Sequence, residues 1–85
     1  MIERWNIKRC QYIRKELLHA SAKDIGDRLY MKRQTILNWE TGAVRTNIES
    51  HEMLYTLALK DILEERGTTV EELVSNKANE LKELL

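Results

Sequence analysis

The chain has 85 residues, which is the length of one small domain and excludes a large catalytic architecture. Hydrophobic residues make up 42% of it, which is enough for a modest core and too much for a disordered tail. Its 14 basic and 14 acidic side chains leave no net charge. The composition predicts an all-α fold, because Leu, Glu, Lys and Arg are frequent and there are only three glycines and no proline.

The first predicted helix runs from about Ile2 to His19. Its apolar residues recur near helical spacing: Ile2, Trp5, Cys10, Ile13 and Leu17. Cys10 is the single cysteine, so it has no partner for an internal disulfide, and its apolar position predicts a small buried residue. Because no secretion signal or membrane-spanning apolar run is found either, we expect the protein in the cytoplasm.

A second helix is predicted to begin at Ser21, because Ser21 followed by Asp24 is a capping box in its acidic form. Gly26 lies in the interior of this helix, where glycine costs about 1 kcal/mol relative to alanine, so we expect another backbone to pass very close. The helix is short and ends at a brief connection formed by Tyr30 and Met31.

A third short helix is predicted from residue 32 or 33 to residue 40. Ile36 and Trp39 lie three residues apart and are expected to face the core, and Gly42 ends the helix as its C-cap. Two short helices joined by a tight turn form a helix-turn-helix, in which the second helix enters the major groove of DNA.

Two further helices follow. Thr46 and Glu49 form a capping box that predicts the start of a fourth helix, which stops at Gly67. Thr69 and Glu72 form another capping box, which predicts a fifth helix. The fifth helix carries an apolar stripe: Val70, Leu73, Val74, Ala78, Leu81, Leu84 and Leu85.

We therefore expect two parts in the chain: a helix-turn-helix core at residues 1–67 and a C-terminal helix at residues 68–85. The stripe either folds back over the core or meets its equivalent in a second chain. We favour a homodimer, since two-fold symmetry places two recognition helices about 34 Å apart, one turn of DNA. The residues predicted at the dimer interface are Val70, Val74, Leu81 and Leu84.

The charge is divided unequally along the chain. Residues 1–45 carry ten basic and five acidic side chains, a net charge of +5, whereas residues 46–85 carry four and nine, a net charge of −5. Such asymmetry indicates an end that faces a polyanion, although it also arises by chance in short helical proteins.

The outward side chains of the third helix suit contacts with base edges. Arg33 can pair with guanine O6 and N7, and Gln34 and Asn38 can each pair with adenine N6 and N7. Thr35 can reach a phosphate or a thymine methyl group. Phosphate contacts are predicted for Lys23, Arg28, Lys32, Arg45 and Thr46. For Arg28 and Lys32, ordinary surface charge is the alternative.

A resemblance to a known family is carried by these residues: Ser21 to Gly26, Leu29, Met31, Thr35, Ile36 and above all Trp39-Glu40-Thr41-Gly42. Together they resemble the lambda-repressor-like, or XRE-type, helix-turn-helix regulators of bacteria and their phages, including the small Cro-type proteins. The resemblance covers roughly residues 10–66. It implies an ion pair between Glu40 and a basic residue of the first helix, either Arg14 or Lys15.

Three positions depart from the pattern of that family. Ala22 stands where the family often has a glutamine that contacts a phosphate. Tyr30 occupies a turn position usually held by glycine, and a bulky residue with positive φ costs about 1 kcal/mol or more there. Thr46 stands where a proline usually precedes the next helix.

The resemblance implies a sequence-specific, double-stranded DNA-binding transcriptional regulator of bacterial or phage origin, most simply a Cro-like repressor that acts by occupying its operator. The alternative is a protein-interaction module, such as an antitoxin or a phage factor, that binds a protein through the acidic C-terminal half. No cofactor or metal is expected, because His19 and His51 are isolated from other metal ligands. No catalytic constellation stands out, so an enzyme is not expected.

Overall fold

The computed structural model describes residues 3–84, so Ile2 and Leu85, assigned to the first and last predicted helices, lie outside the described residues. The helices are α1 at Ile7–Tyr12, which continues as a π-helical turn at Ile13–Leu17, α2 at Ala22–Leu29, α3 at Arg33–Thr41, α4 at Ile48–Arg66 and α5 at Val70–Glu83. Residues 3–84 contain no strand, so the prediction of an all-α fold is confirmed. None of the described helices is long and apolar enough to cross a membrane.

The first helix begins later than predicted. Residues 3–6 are not helical, because the backbone N–H of Trp5 donates to the buried hydroxyl of Thr56, with 3.0 Å between nitrogen and Oγ1. Asn6 then caps α1, since its side-chain oxygen accepts from the backbone N–H of Arg9 at 2.8 Å. The predicted start near residue 2 is therefore wrong. The helix begins only after Asn6, because the Asn6 side chain caps it there and the N–H of Trp5 is bonded to the hydroxyl of Thr56.

The predicted capping box of α2 and the close approach at Gly26 are confirmed. The Asp24 carboxylate accepts from the backbone N–H of Ser21 at 3.0 Å, and this bond holds the pKa of Asp24 below its usual value. A Cβ atom at position 26 would lie 2.6 Å from the backbone oxygen of Met31, so only glycine lets the chain turn back so tightly. Tyr30 forms the turn in the left-handed region, with a φ of 56°.

The core lies between α1 with its π turn, α2, α3 and α4. The predicted inward residues of α3, Ile36 and Trp39, are both buried, and Ile36 belongs to the same core cluster as the fully buried Ile25 and Tyr55. Gly42 ends α3 with a φ of 78°, as its predicted role as C-cap requires.

The start of α4 differs from the prediction. The capping box of Thr46 and Glu49 is not formed, because α4 begins at Ile48 after Asn47, whose φ is 57° and whose side chain makes no capping hydrogen bond. Asparagine tolerates the left-handed region, so the chain turns at residue 47 instead of extending at residue 46, as an N-cap requires. The predicted end of α4 at Gly67 is confirmed.

The apolar contacts of helix α5 with the core are made by its first turns. The hydroxyl of Thr69 accepts from the backbone N–H of Glu72 at 3.2 Å, whereas the Glu72 carboxylate accepts from the hydroxyl of Thr68. Only half of the predicted capping box therefore forms. Val70 and Leu73 pack against the core, and the helix contains no buried residue.

Candidate nucleic-acid interface

Helix α3 separates a buried apolar face from an exposed polar one. Arg33 and Gln34 are exposed, and Thr35 and Asn38 are partly exposed. The structure thus brings the four residues predicted to contact bases together on one helix. Two of them also contact each other, since Nε2 of Gln34 donates to Oδ1 of Asn38 at 3.0 Å.

The surface of this stretch is free of exposed acids. Between Asp27 and Glu49 the sequence has a single acidic residue, Glu40, and that residue is buried. Three exposed cations that form no ion pair within residues 3–84 lie in the same stretch: Lys32, Arg33 and Arg45. We refer to these three residues as the unpaired cations. They give this part of the surface a positive charge although the whole chain is neutral.

Two predicted phosphate contacts have acidic partners within the chain instead. Arg28 donates to the carboxylates of Glu65 and Asp61 on α4, and the bond with Glu65 above all raises the pKa of Arg28. Lys23 lies 2.8 Å from the carboxylate of Asp27, one turn along α2. The predicted phosphate contacts that are exposed and have no acidic partner within residues 3–84 are therefore Lys32, Arg45 and Thr46.

A buried ion pair holds the end of α3. Arg14, from the π turn, makes two hydrogen bonds of 2.8 Å to the two carboxylate oxygens of Glu40. Arg14 also donates to the backbone carbonyl of Ala20 and to the hydroxyl of Tyr55, and that hydroxyl donates to the Glu40 carboxylate. Lys15, the alternative partner of Glu40, is exposed. Sequence reasoning missed Ala20 and Tyr55, because neither lies in the motif.

The environment of this pair shifts the pKa values of its members. Burial raises the pKa of Tyr55, and the hydrogen bond to Glu40 raises it further. Burial is the largest single influence on Arg14 and lowers its pKa, but the hydrogen bonds and charges of Glu40 and Tyr55 together outweigh burial and leave that pKa above its usual value. No buried side-chain nitrogen or oxygen of the described residues lacks a hydrogen-bond partner, so the network is fully satisfied.

A groove of about 500 Å³ adjoins the end of α3. Its apolar lining includes Ile7, Trp39, Val44 and Ile48. His51 stacks on Trp39, with 4.6 Å between the ring centroids, so it packs against the core rather than facing other ligands. Residues 3–84 contain no group of three or more His, Cys, Asp or Glu side chains placed to hold a metal ion.

The residues predicted at a dimer interface fall into two groups. Val70 packs against the core of its own chain. Val74, Leu81 and Leu84 are 49%, 55% and 82% exposed. Three of the four residues are therefore open to another surface, whereas Val70 is used within the chain.

Comparisons with protein-family models, with curated proteins and with solved structures found no match. The geometry of the site defines what it can do. It combines an outward polar face on α3, the unpaired cations and a buried ion pair that fixes the end of the helix. Such a surface can donate to phosphate oxygens and can exchange hydrogen bonds with base edges.

Proposed function

We propose that the chain is a sequence-specific, double-stranded DNA-binding transcriptional regulator in which α2, the turn at residues 30–32 and α3 form a helix-turn-helix. The observation that carries this proposal is that the surface from residue 28 to residue 48 exposes amides and cations but no acid. The single acidic residue of this stretch, Glu40, is buried and paired with Arg14, so its charge is not exposed there. In a helix-turn-helix, the second helix lies in the major groove, which assigns α3 as the recognition helix.

The proposed contacts follow from exposure and chemistry. Arg33 recognises guanine through two hydrogen bonds, and Thr35 lies on the same face. Lys32 and Arg45 contact phosphates at either end of α3, and the hydroxyl of Thr46 supports them. Arg28 is not part of this proposal, because α4 already holds its guanidinium.

We further propose that the protein represses transcription as a homodimer. Val74, Leu81 and Leu84 pair with their equivalents in a second copy, which sets two recognition helices about 34 Å apart. Occupation of an operator that overlaps a promoter then excludes polymerase, as expected from the resemblance to Cro-type proteins.

Selection of bound duplexes from a random DNA library near physiological salt, followed by sequencing, tests the proposal. We expect an enriched palindrome with half-sites about one helical turn apart. Arg33→Ala should lose preference at one position of each half-site, by about 1–3 kcal/mol. A wild-type protein that enriches no sequence would contradict the proposed function.

A matched pair of lysine variants tests where the phosphate contacts lie. Lys32→Ala should weaken binding to every duplex and reduce the slope of log K against log salt by about 0.9. Lys82→Ala removes the same charge from an exposed position on α5 and should leave affinity unchanged. Equal effects of the two substitutions would place the phosphate contacts elsewhere.

The second candidate function is a protein-interaction module, and one observation favours it. Leu81 and Leu84 are exposed in the half of the chain that carries a net charge of −5. Exposed leucines among acids suit an apolar and basic protein surface. This candidate predicts that no duplex is enriched and that Leu81→Ala, but not Arg33→Ala, weakens partner binding.

A further inference from the structure

Two amide side chains on the exposed face of α3 are joined to each other. Nε2 of Gln34 donates to Oδ1 of Asn38 at 3.0 Å, one helical turn further along. This bond orients both amides, because an amide nitrogen only donates and an amide oxygen only accepts. It leaves Oε1 of Gln34 as a free acceptor and Nδ2 of Asn38 as a free donor for a ligand outside the chain.

The backbone of Asn38 is fixed near the end of α3. Asn38 is partly buried, and its backbone carbonyl accepts from the N–H of Ala43 at 3.1 Å and from the hydroxyl of Thr41 at 3.3 Å. Gln34 is exposed, and the bond to Asn38 restrains its amide. A restrained pair loses less conformational freedom on binding than two independent side chains lose.

We infer that Gln34 and Asn38 together recognise a single adenine, and this inference rests on the proposed DNA-binding function. In the major groove, adenine presents the acceptor N7 beside the donor N6. Guanine presents two acceptors, cytosine a donor, and thymine an acceptor beside a methyl group. Asn38 Nδ2 donates to N7 and Gln34 Oε1 accepts from N6, so adenine is the one base that satisfies both groups.

The hydrogen bond between Gln34 and Asn38 changes the number of specified base positions that the sequence alone predicts. Taken separately, each amide is able to recognise an adenine of its own, which gives two specified positions in each half-site. Once Gln34 and Asn38 are joined, each contributes one of the two hydrogen bonds to a shared base. The half-site then contains one adenine set by this pair and a separate guanine set by Arg33.

A double-mutant cycle on binding specificity tests the inference. Kd is measured for the wild type, Gln34→Ala, Asn38→Ala and the double variant, on the selected duplex and on every single base-pair change of it. Both single variants should lose preference for adenine at the same position, each by roughly tenfold. The double variant should lose at most about threefold more than either single variant, because the two side chains act as one unit. Arg33→Ala is the control and should lose preference at a different position only.

The possible failures are distinguishable. Loss of preference at two different positions, with effects that multiply in the double variant, would overturn shared recognition and leave the proposed function intact. A wild type without any sequence preference would overturn both.

Nuclear magnetic resonance relaxation of the side-chain amides gives a test without DNA. The amide of Asn38 should be more rigid than that of Asn79, an exposed residue of α5, and Gln34→Ala should make it more mobile. Equal mobility of the Asn38 amide in the wild type and in Gln34→Ala would overturn the inference.

Discussion

Helices α3 and α5 both carry apolar residues at helical spacing, but they differ in how far those residues are buried. In α3, Ile36 and Trp39 are buried and the polar residues face solvent. In α5, Val74 and Leu81 are about half exposed. Spacing therefore predicts a helix and its apolar face, whereas the burial of that face depends on neighbours that the local sequence does not specify.

The two helices also differ in the contacts that attach them to the rest of the domain. The end of α3 is fixed by Glu40, which is buried and bonded to Arg14 and Tyr55. Beyond its first turns, α5 is held by the partly exposed Lys77, which lies 3.6 Å from the Glu16 carboxylate and also donates to the backbone carbonyl of Glu16. We therefore regard α3 as a rigid element that presents its outward side chains and α5 as a weakly attached element.

Removal of the buried carboxylate is expected to have the largest effect. Glu40→Ala leaves the Arg14 guanidinium buried without its partner and should lower the free energy of unfolding by about 3–5 kcal/mol. Lys77→Ala breaks an exposed pair and should change it by less than about 1 kcal/mol. Urea denaturation followed by circular dichroism compares the two variants. Similar losses in both would contradict the distinction between α3 and α5.

Alkaline pH tests how well the core around Cys10, between α1 and α4, excludes water. Burial raises the pKa of Cys10 from 9.0 to about 11. The thiol therefore ionises earlier in the unfolded chain, so its contribution is fully present below pH 9 and is lost as pH rises toward 11, by roughly 2–3 kcal/mol. Cys10→Ser should flatten this part of the pH dependence in urea denaturation. An unchanged slope would mean that the thiol is not closed off from water.

The turn that leads into α3 is expected to contain strain that can be relieved. Tyr30 has a φ of 56° and is 99% exposed, so no packing of its side chain offsets the free-energy cost of its left-handed backbone. Tyr30→Gly should raise the free energy of unfolding by up to about 1 kcal/mol. Tyr30→Phe keeps the strain and should change nothing. Thermal unfolding of the two variants measures the difference, and a destabilised glycine variant would contradict it.

Truncation after Ser75 is expected to have the smallest effect on the fold. Because α5 contains no buried residue, the free energy of unfolding should change by less than about 1 kcal/mol. The apparent mass in sedimentation should nevertheless fall from that of a dimer to that of a monomer. A monomer for the intact chain would contradict the proposed dimer, and a large loss of stability would contradict weak attachment of α5.

The features that the sequence predicts best depend on residues close together in the chain. The capping box of Ser21 and Asp24, the close approach at Gly26 and the helix end at Gly42 are all set within a few residues. The capping box expected at Thr46 is also local but wrong, because the left-handed turn at Asn47 competes with it.

The features that the sequence does not predict depend on distant residues. Arg28 fits a phosphate contact by its position, but its partners Asp61 and Glu65 lie 33 and 37 residues away. Tyr55 lies 41 residues from Arg14, so no local pattern connects them. Such pairs form only when the helices have packed, which a periodicity along the chain cannot show.

The π turn at Ile13–Leu17 has a consequence for chain length. Its hydrogen bond spans five residues, from the carbonyl of Ile13 to the N–H of Leu18, whereas an α-helix spans four. We therefore expect a one-residue deletion at Lys15 to tighten the turn into ordinary α-helix and to leave the downstream helices in their orientation. The same deletion in the middle of α4 rotates everything after it by about 100°. The π turn is thus the place where we expect this fold to tolerate a shorter chain.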